Sequence, residues 1–521
     1  MEDWLSPCLD AERMRAVDSW AIETRGVPSL DLMEKAGEAV ARAAAELAGS
    51  GKIAVVCGKG NNGGDGLVAA RMLAGTGFEV DTLLLWPAAE LSADAKANLE
   101  RLDGAREVGA GELEPALNGA AVIVDAIFGT GFSGEPRDPA AGAMEAINAA
   151  HGKVVAADIA SGVNAANGEV EGIAIEAAAT VTFHSAKVGH WLSPGKGLTG
   201  DLHVEPIGIP DGAPVDSHTG LIDEAVLGLA PARAAGSTKF SSGQVLVAGG
   251  SRGLTGAVCL ASAAAIRAGA GYATAAVPAD VEAIVEAKLT EVMTVGCASR
   301  EGRLRRAASE QIMEAAESAA AVVLGPGMGS QDGTRDLARQ LAKRIEAPLV
   351  LDADGLNAHA GKLELLKKRS GPVVLTPHEG ELGRLLEVDS KEVKAKRLAH
   401  AGEAARRSGG IVLLKGDDTI VTDGERVAIN RGGTGALATA GTGDVLSGMI
   451  AALISRGMDP FAGACAAVLA HSRAGAAAAR RIGAPESVIA TDVIEAIPEG
   501  LTTAVERPGV SPPGRSEGRS T

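Results

Sequence analysis

Strand-like and helix-like segments alternate along most of this chain, and this order restricts the possible folds more than any other feature. Short apolar runs at residues 52–57, 121–125 and 154–158 are separated by stretches with helical spacing that are rich in Ala, Glu and Arg. This rhythm implies right-handed crossovers and a parallel sheet. We therefore predict an α/β fold whose ligands bind beyond the carboxyl ends of the strands.

The alternation occurs twice, which predicts two domains. A chain of 521 residues exceeds what one hydrophobic core usually holds. Four prolines interrupt residues 206–243, and a second series of strand-like runs begins at Gln244. We place the domains at residues 1–212 and 213–506. Residues 507–521 have the Pro-, Gly- and Ser-rich composition that is typical of a disordered tail.

Composition excludes several classes of partner. Aromatic residues make up 2% of the chain, which leaves few stacking surfaces for bases, and the net charge of −17 disfavours nucleic-acid backbones. The apolar stretches are too interrupted for a membrane span, and the acidic start does not resemble a signal peptide. Five dispersed cysteines fit a reducing compartment. We expect a cytoplasmic enzyme that acts on small molecules.

Two glycine-rich segments end in an aspartate and lead into helix-like sequence. They read GKGNNGGDG at residues 58–66, which we expect to be a loop before a helix at 67–73, and ATAGTGD at 438–444. Backbone N–H groups in such a segment, with a helix N-terminus, can hold an anion such as phosphate. A carboxylate beside the anion is unfavourable unless it handles a proton or a metal. The repetition predicts two active sites for phosphate-bearing small molecules.

Two further polar segments follow strands in the first half of the chain. They read DAIFGTG at residues 125–131 and DIASG at 158–162, and they should converge with the first glycine-rich segment at one edge of the sheet. Oxygen donors from Asn62, Asp125 and Ser161 would suit a hard monovalent cation. A structural capping role for Asp125 or Ser161 is equally compatible with the sequence.

These motifs resemble the NAD(P)HX epimerase family over residues 10–210. The resemblance implies a Rossmann-like three-layer sandwich that binds hydrated NADH or NADPH and a potassium ion. Asn62, Asp125 and Ser161 would hold potassium. Asp158 would be the catalytic acid/base that inverts the hydrated carbon, with a pKa raised by a dry pocket. The substrate would be lined by Asn61, Asn62, Gly63, Gly64, Asp65, Gly129, Thr130, Gly131, Phe132, Ser133, Gly134, Glu135 and Asp158.

The second half carries its own group of polar residues. GTGD at residues 441–444 begins a helix-like segment, where backbone amides can stabilise a transferring phosphoryl group while Asp444 takes a proton from the attacking hydroxyl. A first-turn aspartate that only interacts with the helix dipole is the alternative. Lys415 follows a strand-like run and predicts a nucleotide-phosphate contact. His378 also ends a strand and predicts a ligand contact.

With GGSRGLTGA at 249–257, GPGMG at 325–329 and TPHEGE at 376–381, this half resembles the ADP-dependent NAD(P)H-hydrate dehydratases. They belong to the ribokinase-like superfamily and have a three-layer α/β domain. The resemblance implies phosphoryl transfer from ADP to the ring hydroxyl of the S hydrate, which yields NAD(P)H, AMP and phosphate, with magnesium accompanying the nucleotide. The hydrate would contact Ala257, Gly327, His378 and Asp444, and the nucleotide would contact Lys415, Gly416, Asp417, Asp418, Thr419 and Gly443.

The combined prediction is a two-domain enzyme, an expected homo-oligomer, that epimerises hydrated NADH or NADPH and dehydrates the S form. The main alternative is a ribokinase-like vitamin or thiazole kinase fused to a non-catalytic Rossmann-like module. Such kinases share the Gly-x-Gly-Asp segment, and fold alone does not separate the two. The TPHEGE motif and the polar residues of the first half favour the repair enzyme. Ala440 and Ala476 depart from residues common in the dehydratase family.

Overall fold

The computed structural model describes residues 2–109 and 111–503, so the predicted tail lies outside the described residues. The chain forms two compact units. Within the described residues, the N-terminal unit contains residues 7–220 and 394–397, and the C-terminal unit contains residues 2–6, 221–393 and 398–503. The first strand, β1 (Leu5–Pro7), therefore belongs mostly to the C-terminal unit.

The N-terminal unit is built on a parallel sheet whose order, within the described residues, is β4-β3-β2-β5-β6-β7-β8. Val55 and Val56 in β2 pack into separate hydrophobic clusters because successive side chains of a strand face opposite ways. The strands are β2 (Lys52–Cys57), β3 (Val80–Leu84), β4 (Arg106–Glu107), β5 (Ala120–Ala126), β6 (Lys153–Ala157), β7 (Ala179–Phe183) and β8 (Asp201–Glu205).

Helices cover both faces of this sheet and complete the three layers. Residues of α1 to α4 pack with Val55, and residues of α5 and α6 pack with Val56. Helix α2 buries Leu32, Ala36 and Val40 at the spacing of an amphipathic helix. The helices are α1 (Ala11–Ser19), which continues as a π-helical turn (Trp20–Thr24), α2 (Ser29–Ala48), α3 (Asn61–Gly75), α4 (Ala93–Leu99), α5 (Leu113–Leu117) and α6 (Ala140–Ala149).

The prediction of a loop at residues 61–66 was wrong, because α3 begins at Asn61. Glycine has a low intrinsic helix propensity, which is why the sequence looks like a loop. Here the missing side chains permit close packing. A Cβ on Gly63 would lie 1.9 Å from the Gly58 carbonyl oxygen, and one on Gly66 would lie 2.6 Å from the Cβ of Ala126. Tertiary packing therefore outweighs the local preference.

The C-terminal unit contains a larger sheet with the order β1-β9-β20-β19-β18-β17-β16-β15-β10-β11-β12 and a separate hairpin, β13-β14, within the described residues. Pairings from β18 to β12 are parallel, and β18-β19-β20 are antiparallel. The strands are β9 (Thr219–Ile222), β10 (Gln244–Ala248), β11 (Tyr272–Pro278), β12 (Met293–Cys297), β13 (Ser299–Arg300), β14 (Arg303–Leu304), β15 (Ala321–Leu324), β16 (Leu349–Leu351), β17 (Val373–Leu375), β18 (Ile411–Leu414), β19 (Ile420–Thr422) and β20 (Val427–Ile429).

Val245 and Val247 face a core that includes α7, α15, α16 and α17, whereas buried Leu246 between them faces the opposite side, so this sheet is also covered on both faces. The helix predicted at GTGD is confirmed, with Gly441 as its N-cap at φ +93°. None of the described helices is long and apolar enough to cross a membrane. The helices are α7 (Thr255–Arg267), α8 (Glu282–Lys288), α9 (Ala308–Glu317), α10 (Asp332–Arg344), α11 (Asp354–Asn357), α12 (Glu379–Leu386), α13 (Ser390–Ala395), α14 (Arg397–Ser408), α15 (Thr442–Ser455), α16 (Pro460–Ile482) and α17 (Ala490–Leu501).

Candidate active sites

A cavity of about 700 Å³ opens where the carboxyl ends of β2, β5 and β6 meet in the N-terminal unit. The predicted convergence of the three polar segments is therefore confirmed. Gly63, Gly64, Gly134 and Glu135 do not line this cavity. The predicted substrate residues that do line it are Asn61, Asn62, Asp65, Gly129, Thr130, Gly131, Phe132, Ser133 and Asp158.

Of the three predicted cation ligands, Asn62 lines this cavity, whereas Asp125 and Ser161 contact each other without lining it. Asp125 is fully buried, and its carboxylate accepts hydrogen bonds from the hydroxyl of Ser161 at 2.7 Å and the N–H of Ser161 at 2.8 Å. Both amide atoms of Asn62 are buried without a hydrogen-bond partner among the described residues. Burial raises the pKa of Asp125 to about 6, against the hydrogen bonds from Ser161. A buried carboxylate and an unused amide oxygen suit a hard cation.

Asp158 is held as a carboxylate by four donors. Its Oδ1 accepts hydrogen bonds from Nζ of Lys187 at 2.7 Å and Oγ1 of Thr182 at 3.1 Å. Its Oδ2 accepts from the N–H of Thr130 at 2.8 Å and from the Thr130 hydroxyl. Burial alone would raise the pKa of Asp158, but the charge of Lys187 and these hydrogen bonds lower it to about 2. The prediction of a raised pKa was wrong because Lys187 lies within hydrogen-bonding distance.

Among the charged residues of this cavity that sequence reasoning missed are Asp18 in α1 and Lys187 after β7. Burial, opposed by Lys187 and reinforced by Asp158, raises the pKa of Asp18 to about 6. Burial and repulsion from Asp158 and Asp18 raise the pKa of Asp65 well above its usual range. Neither missed residue belongs to a motif, so no local signal identifies it. The cavity thus combines one ionised carboxylate with two carboxyl groups that bind protons more tightly.

A second cavity, of about 530 Å³, lies at the carboxyl end of β18 and the start of α15 in the C-terminal unit. Asp418 is only 1% exposed and does not line it. His471 from α16 lines it without having been predicted, and burial lowers the pKa of this imidazole to about 4. Leu437, Leu446 and Val468 give part of the wall an apolar character. The predicted nucleotide residues in the wall are Lys415, Gly416, Asp417, Thr419 and Gly443.

Lys415 joins a buried polar network at the edge of this cavity. Its Nζ donates to Oδ1 of Asp352 at 3.2 Å and lies 3.6 Å from Oε2 of Glu381. Asp352 is 1% exposed and also accepts hydrogen bonds from Thr376 at 2.8 Å and Ser447 at 2.6 Å. Burial lowers the pKa of Lys415, but Asp352 and Glu381 outweigh it and raise the pKa overall. This lysine is therefore a fixed cation.

Asp444 lies in the first turn of α15, and its surroundings raise its pKa to about 7. Burial is the largest cause, and repulsion from Asp352 and Glu381 adds to it, while Lys415 opposes it. A carboxyl group that titrates near neutral pH is suited to general acid–base chemistry. The geometry is compatible with the predicted catalytic role.

His378 contacts this network, whereas Gly327 packs against the segment that begins α7. His378 caps α12: its Nδ1 accepts from the N–H of Gly380 at 3.0 Å, and its own N–H donates to Glu381, the neighbour of Lys415. Gly327, at φ +62°, is so close to α7 that a Cβ would lie 3.2 Å from the Cβ of Ala257. The structure thus places His378 beside the lysine network and Gly327 beside Ala257.

Comparison with known proteins identifies both halves. Residues 29–189 match the family described as YjeF-related protein N-terminus, and residues 245–499 match the family described as NAD(P)H-hydrate dehydratase. The chain is 40% identical over 517 residues to the bifunctional NAD(P)H-hydrate repair enzyme of Moorella thermoacetica, covering 95% of this chain and 97% of that protein. The chain belongs to the family of bifunctional NAD(P)H-hydrate repair enzymes.

A second such repair enzyme, from Salinibacter ruber, is 38% identical over 536 residues, with 96% of this chain and 97% of that protein covered. A solved structure of the ADP/ATP-dependent NAD(P)H-hydrate dehydratase from Bacillus subtilis, co-crystallised with ATP/Mg²⁺, is 28% identical with a TM-score of 0.47, and covers 54% of this chain and 96% of that one. The repair enzyme carries an epimerase domain followed by a dehydratase domain, so the predicted family, fold class and bifunctional activity are confirmed in preference to a kinase.

Proposed function

We propose that the two cavities are the two active sites of this repair, one in each unit. The N-terminal cavity interconverts the R and S hydrates of NADH and NADPH, and the C-terminal cavity dehydrates the S hydrate with ADP. The observation that carries this assignment is a carboxyl group with a shifted pKa at each cavity: Asp158 lines the first, and Asp444 directly follows Gly443, which lines the second. Asp158 is ionised and paired with a lysine, whereas Asp444 titrates near neutral pH at the start of a helix.

In the N-terminal cavity, Asn62, Asp125 and Ser161 would hold a potassium ion, which would neutralise the buried Asp125 carboxylate and help to bind an anionic substrate. Asp158 faces the hydrated ring as a carboxylate and stabilises the positive charge that develops when the ring hydroxyl leaves. Burial and repulsion from Asp158 raise the pKa of Asp65, which favours its protonated form, and this carboxyl group would donate a proton to the departing hydroxyl. Water that adds to the opposite face returns that proton.

In the C-terminal cavity, the phosphates of ADP would lie between Lys415 and the backbone of Gly443, with the base against the apolar wall. Asp444 accepts the proton of the ring hydroxyl, whose oxygen attacks the terminal phosphorus of ADP and displaces AMP. Phosphate then leaves, the neighbouring carbon loses a proton, and the double bond of the reduced nicotinamide is restored. Ala257, Gly327 and His378, which lie outside the wall of this cavity, would position the ring.

Magnesium would be held chiefly by the nucleotide phosphates, where its charge would screen them from the carboxyl groups nearby. Among the described residues no group of three or more His, Cys, Asp and Glu side chains is suited to bind a metal by itself. Asp444 and Asp352 nevertheless lie close enough to repel one another. A cation carried in by the nucleotide fits this excess of negative charge, because magnesium commonly uses one or two carboxylates with substrate phosphates.

We also propose that the enzyme is a cytoplasmic homo-oligomer. All five cysteines are buried, and burial raises the pKa of Cys57 to about 12, which makes an unreactive thiol suited to a reducing compartment. Sedimentation of the purified chain would test the oligomeric state, and fractionation of source cells would test the location. A monomer in sedimentation, or enrichment outside the cytoplasm, would contradict the respective proposal.

The function is tested by following the absorbance of reduced nicotinamide on separated R and S hydrates. We expect the S hydrate to be converted only with ADP, and the R hydrate to follow after epimerisation, faster with potassium than with an inert organic cation. ATP in place of ADP tests the nucleotide preference. Phosphorylation of a vitamin alcohol without recovery of reduced nicotinamide would contradict the proposal and favour a kinase.

A further inference from the structure

One short segment of the N-terminal unit holds the side chain of Asp158. Lys187 is 1% exposed, although it contributes to the cavity wall. Its ammonium donates to Oδ1 of Asp158 at 2.7 Å, to Oγ1 of Thr182 at 2.7 Å and to the carbonyl oxygen of Phe183 at 3.1 Å. An ammonium group has three N–H donors, so all of them are used.

The same segment also holds the backbone of Asp158. The N–H of Lys187 donates to Nδ1 of His190 at 3.1 Å, so the proton of the neutral imidazole is on Nε2. Nε2 lies 3.0 Å from the carbonyl oxygen of Asp158 and donates to it. Burial and the charge of Lys187 lower the pKa of His190 to about 3, which keeps the ring neutral.

Asp158 needs this support because its backbone has φ +65°. A residue with a side chain is uncommon in this left-handed region, and such strain persists where the surrounding structure fixes it. A buried ion pair is, moreover, weak evidence for a stabilising role, because apolar side chains of the same volume often give equal or greater stability. Strain and a buried ion pair at one residue of a cavity wall indicate a functional constraint rather than a packing solution.

We propose that Lys187 and His190 form a clamp that positions Asp158 for epimerisation, a role that rests on the proposed function of this cavity. Lys187 fixes the carboxylate, and His190 fixes the peptide that carries it. Both are positioning residues, since they act on the hydrated ring through Asp158. We call Lys187 and His190 the Asp158 clamp.

The test uses the full chain with Lys187→Met, which keeps most of the side-chain volume but removes the charge. The R hydrate reports epimerisation when ADP is present and dehydration is fast, and the S hydrate reports dehydration alone. We expect kcat for the R hydrate to fall roughly 100-fold, with KM changed less than about threefold, because orientation of Asp158 is lost while the binding surface remains. The S hydrate should react at the wild-type rate. Exposed Lys153→Met is the matched control and should leave both rates unchanged.

The pH dependence separates a clamp from simple packing. The titratable groups around the pair are Asp18, Asp65, His184 and His190. Without Lys187, less opposes the effect of burial, so the pKa of Asp158 should rise. The acidic limb of the epimerase pH profile should therefore move to higher pH, and activity should partly recover as pH rises. A lysine that only packs would lower the amount of folded enzyme without moving this limb. An unmoved limb would therefore overturn the proposal.

A fold-destabilising outcome is also informative. If Lys187→Met leaves an unpaired carboxylate in the unit, the double variant Asp158→Asn/Lys187→Met should regain roughly 10 °C in Tm while epimerisation stays low. A double variant no more stable than Lys187→Met would contradict the clamp. His190→Asn should lower kcat for epimerisation while the rate of S-hydrate dehydration stays unchanged. A His190→Asn variant with the wild-type kcat for epimerisation would contradict the role of His190 in the clamp.

Two outcomes distinguish the clamp from the proposed function. If the wild-type enzyme failed to convert the R hydrate, the proposed function would be contradicted. If the wild-type enzyme converted the R hydrate and Lys187→Met did so equally fast, only the clamp would be contradicted.

Discussion

Asp158 and Asp444 occupy comparable places in their units, yet their surroundings move their pKa values in opposite directions. Asp158 lines the N-terminal cavity, Asp444 directly follows Gly443 in the wall of the C-terminal cavity, and each has a lysine nearby. The pKa of Asp158 is lowered to about 2 because, against the effect of burial, Lys187 donates directly to its carboxylate. Burial and repulsion from Asp352 raise the pKa of Asp444 to about 7. Lys415, which also donates to Asp352, opposes this rise without cancelling it.

The two sites differ in how many other anions share the nearby lysine, and this difference acts together with burial on the pKa of each aspartate. Lys187 has one carboxylate within hydrogen-bonding distance, whereas Lys415 contacts Asp352 and lies near Glu381 as well. One aspartate can therefore act as a permanent anion and the other as a proton acceptor near neutral pH. Environments that separate the pKa values of like groups commonly mark different catalytic roles.

The largest effect is expected for Asp444→Asn in the dehydratase site. An asparagine cannot take the proton of the ring hydroxyl, so kcat for the S hydrate with ADP should fall about 1,000-fold. Interconversion of the R and S hydrates, followed by chromatography of the isomers, should be unaffected. A variant that retained more than about a tenth of wild-type dehydration would show that Asp444 does not transfer the proton.

Asp158→Asn tests the other half of the comparison. Loss of the permanent anion should slow interconversion of the isomers roughly 100-fold, because charge that develops on the ring is no longer stabilised. Dehydration of purified S hydrate should remain at the wild-type rate and serves as the control. Equal losses in both reactions would mean that the variant damages the whole chain.

A smaller effect is expected from pH alone. With Asp444 acting as a base whose pKa is about 7, kcat/KM for dehydration should fall close to tenfold for each pH unit below that value and level off above it. Epimerisation should show no loss from Asp158 in the same range, because that carboxylate stays ionised far below it. Measuring both profiles on one preparation compares the sites directly. A dehydratase profile that stayed flat from about pH 5 to 8 would contradict the assignment.

The smallest effect concerns the proposed potassium site. Potassium should raise the Tm of the N-terminal unit by a few degrees relative to an organic cation at equal ionic strength, because it binds the folded state through Asp125 and Asn62. Asp125→Asn should remove this difference. The Tm of the C-terminal unit provides the internal control. Equal shifts in both units would indicate a general salt effect.

The sequence predicts the strands well wherever apolar β-branched residues are concentrated. The strand at 52–57 is confirmed residue for residue, and the runs at 121–125 and 154–158 correspond within one residue to β5 and β6. It failed at residues 61–66, because contacts made by bare backbone determine that helix and leave no periodic pattern. The short antiparallel strands β19 and β20 also went unpredicted. Their three residues each give too few positions for a pattern to emerge.

The candidate sites divide in the same way. Motif residues such as Asp125, Ser161 and Asp444 were found from their place after strands or before a helix, and the structure sets Asp125 against Ser161 as expected. Lys187 lies 29 residues from Asp158 along the chain, and Asp18 lies on a helix before the first motif. Only the folded chain brings such isolated charges together. The local sequence pattern therefore could not predict the pKa of Asp158.

Strand β1 has a consequence for the order in which this chain can fold. Trp4 and Leu5 are buried in the hydrophobic core of the C-terminal unit, although they precede every residue of the epimerase sheet. The epimerase unit is thus an insertion within the dehydratase chain, and no single cut separates the two intact. Synthesis proceeds at about 5–20 residues per second. Trp4 and Leu5 are therefore made tens of seconds before the last residues of the core in which they are buried.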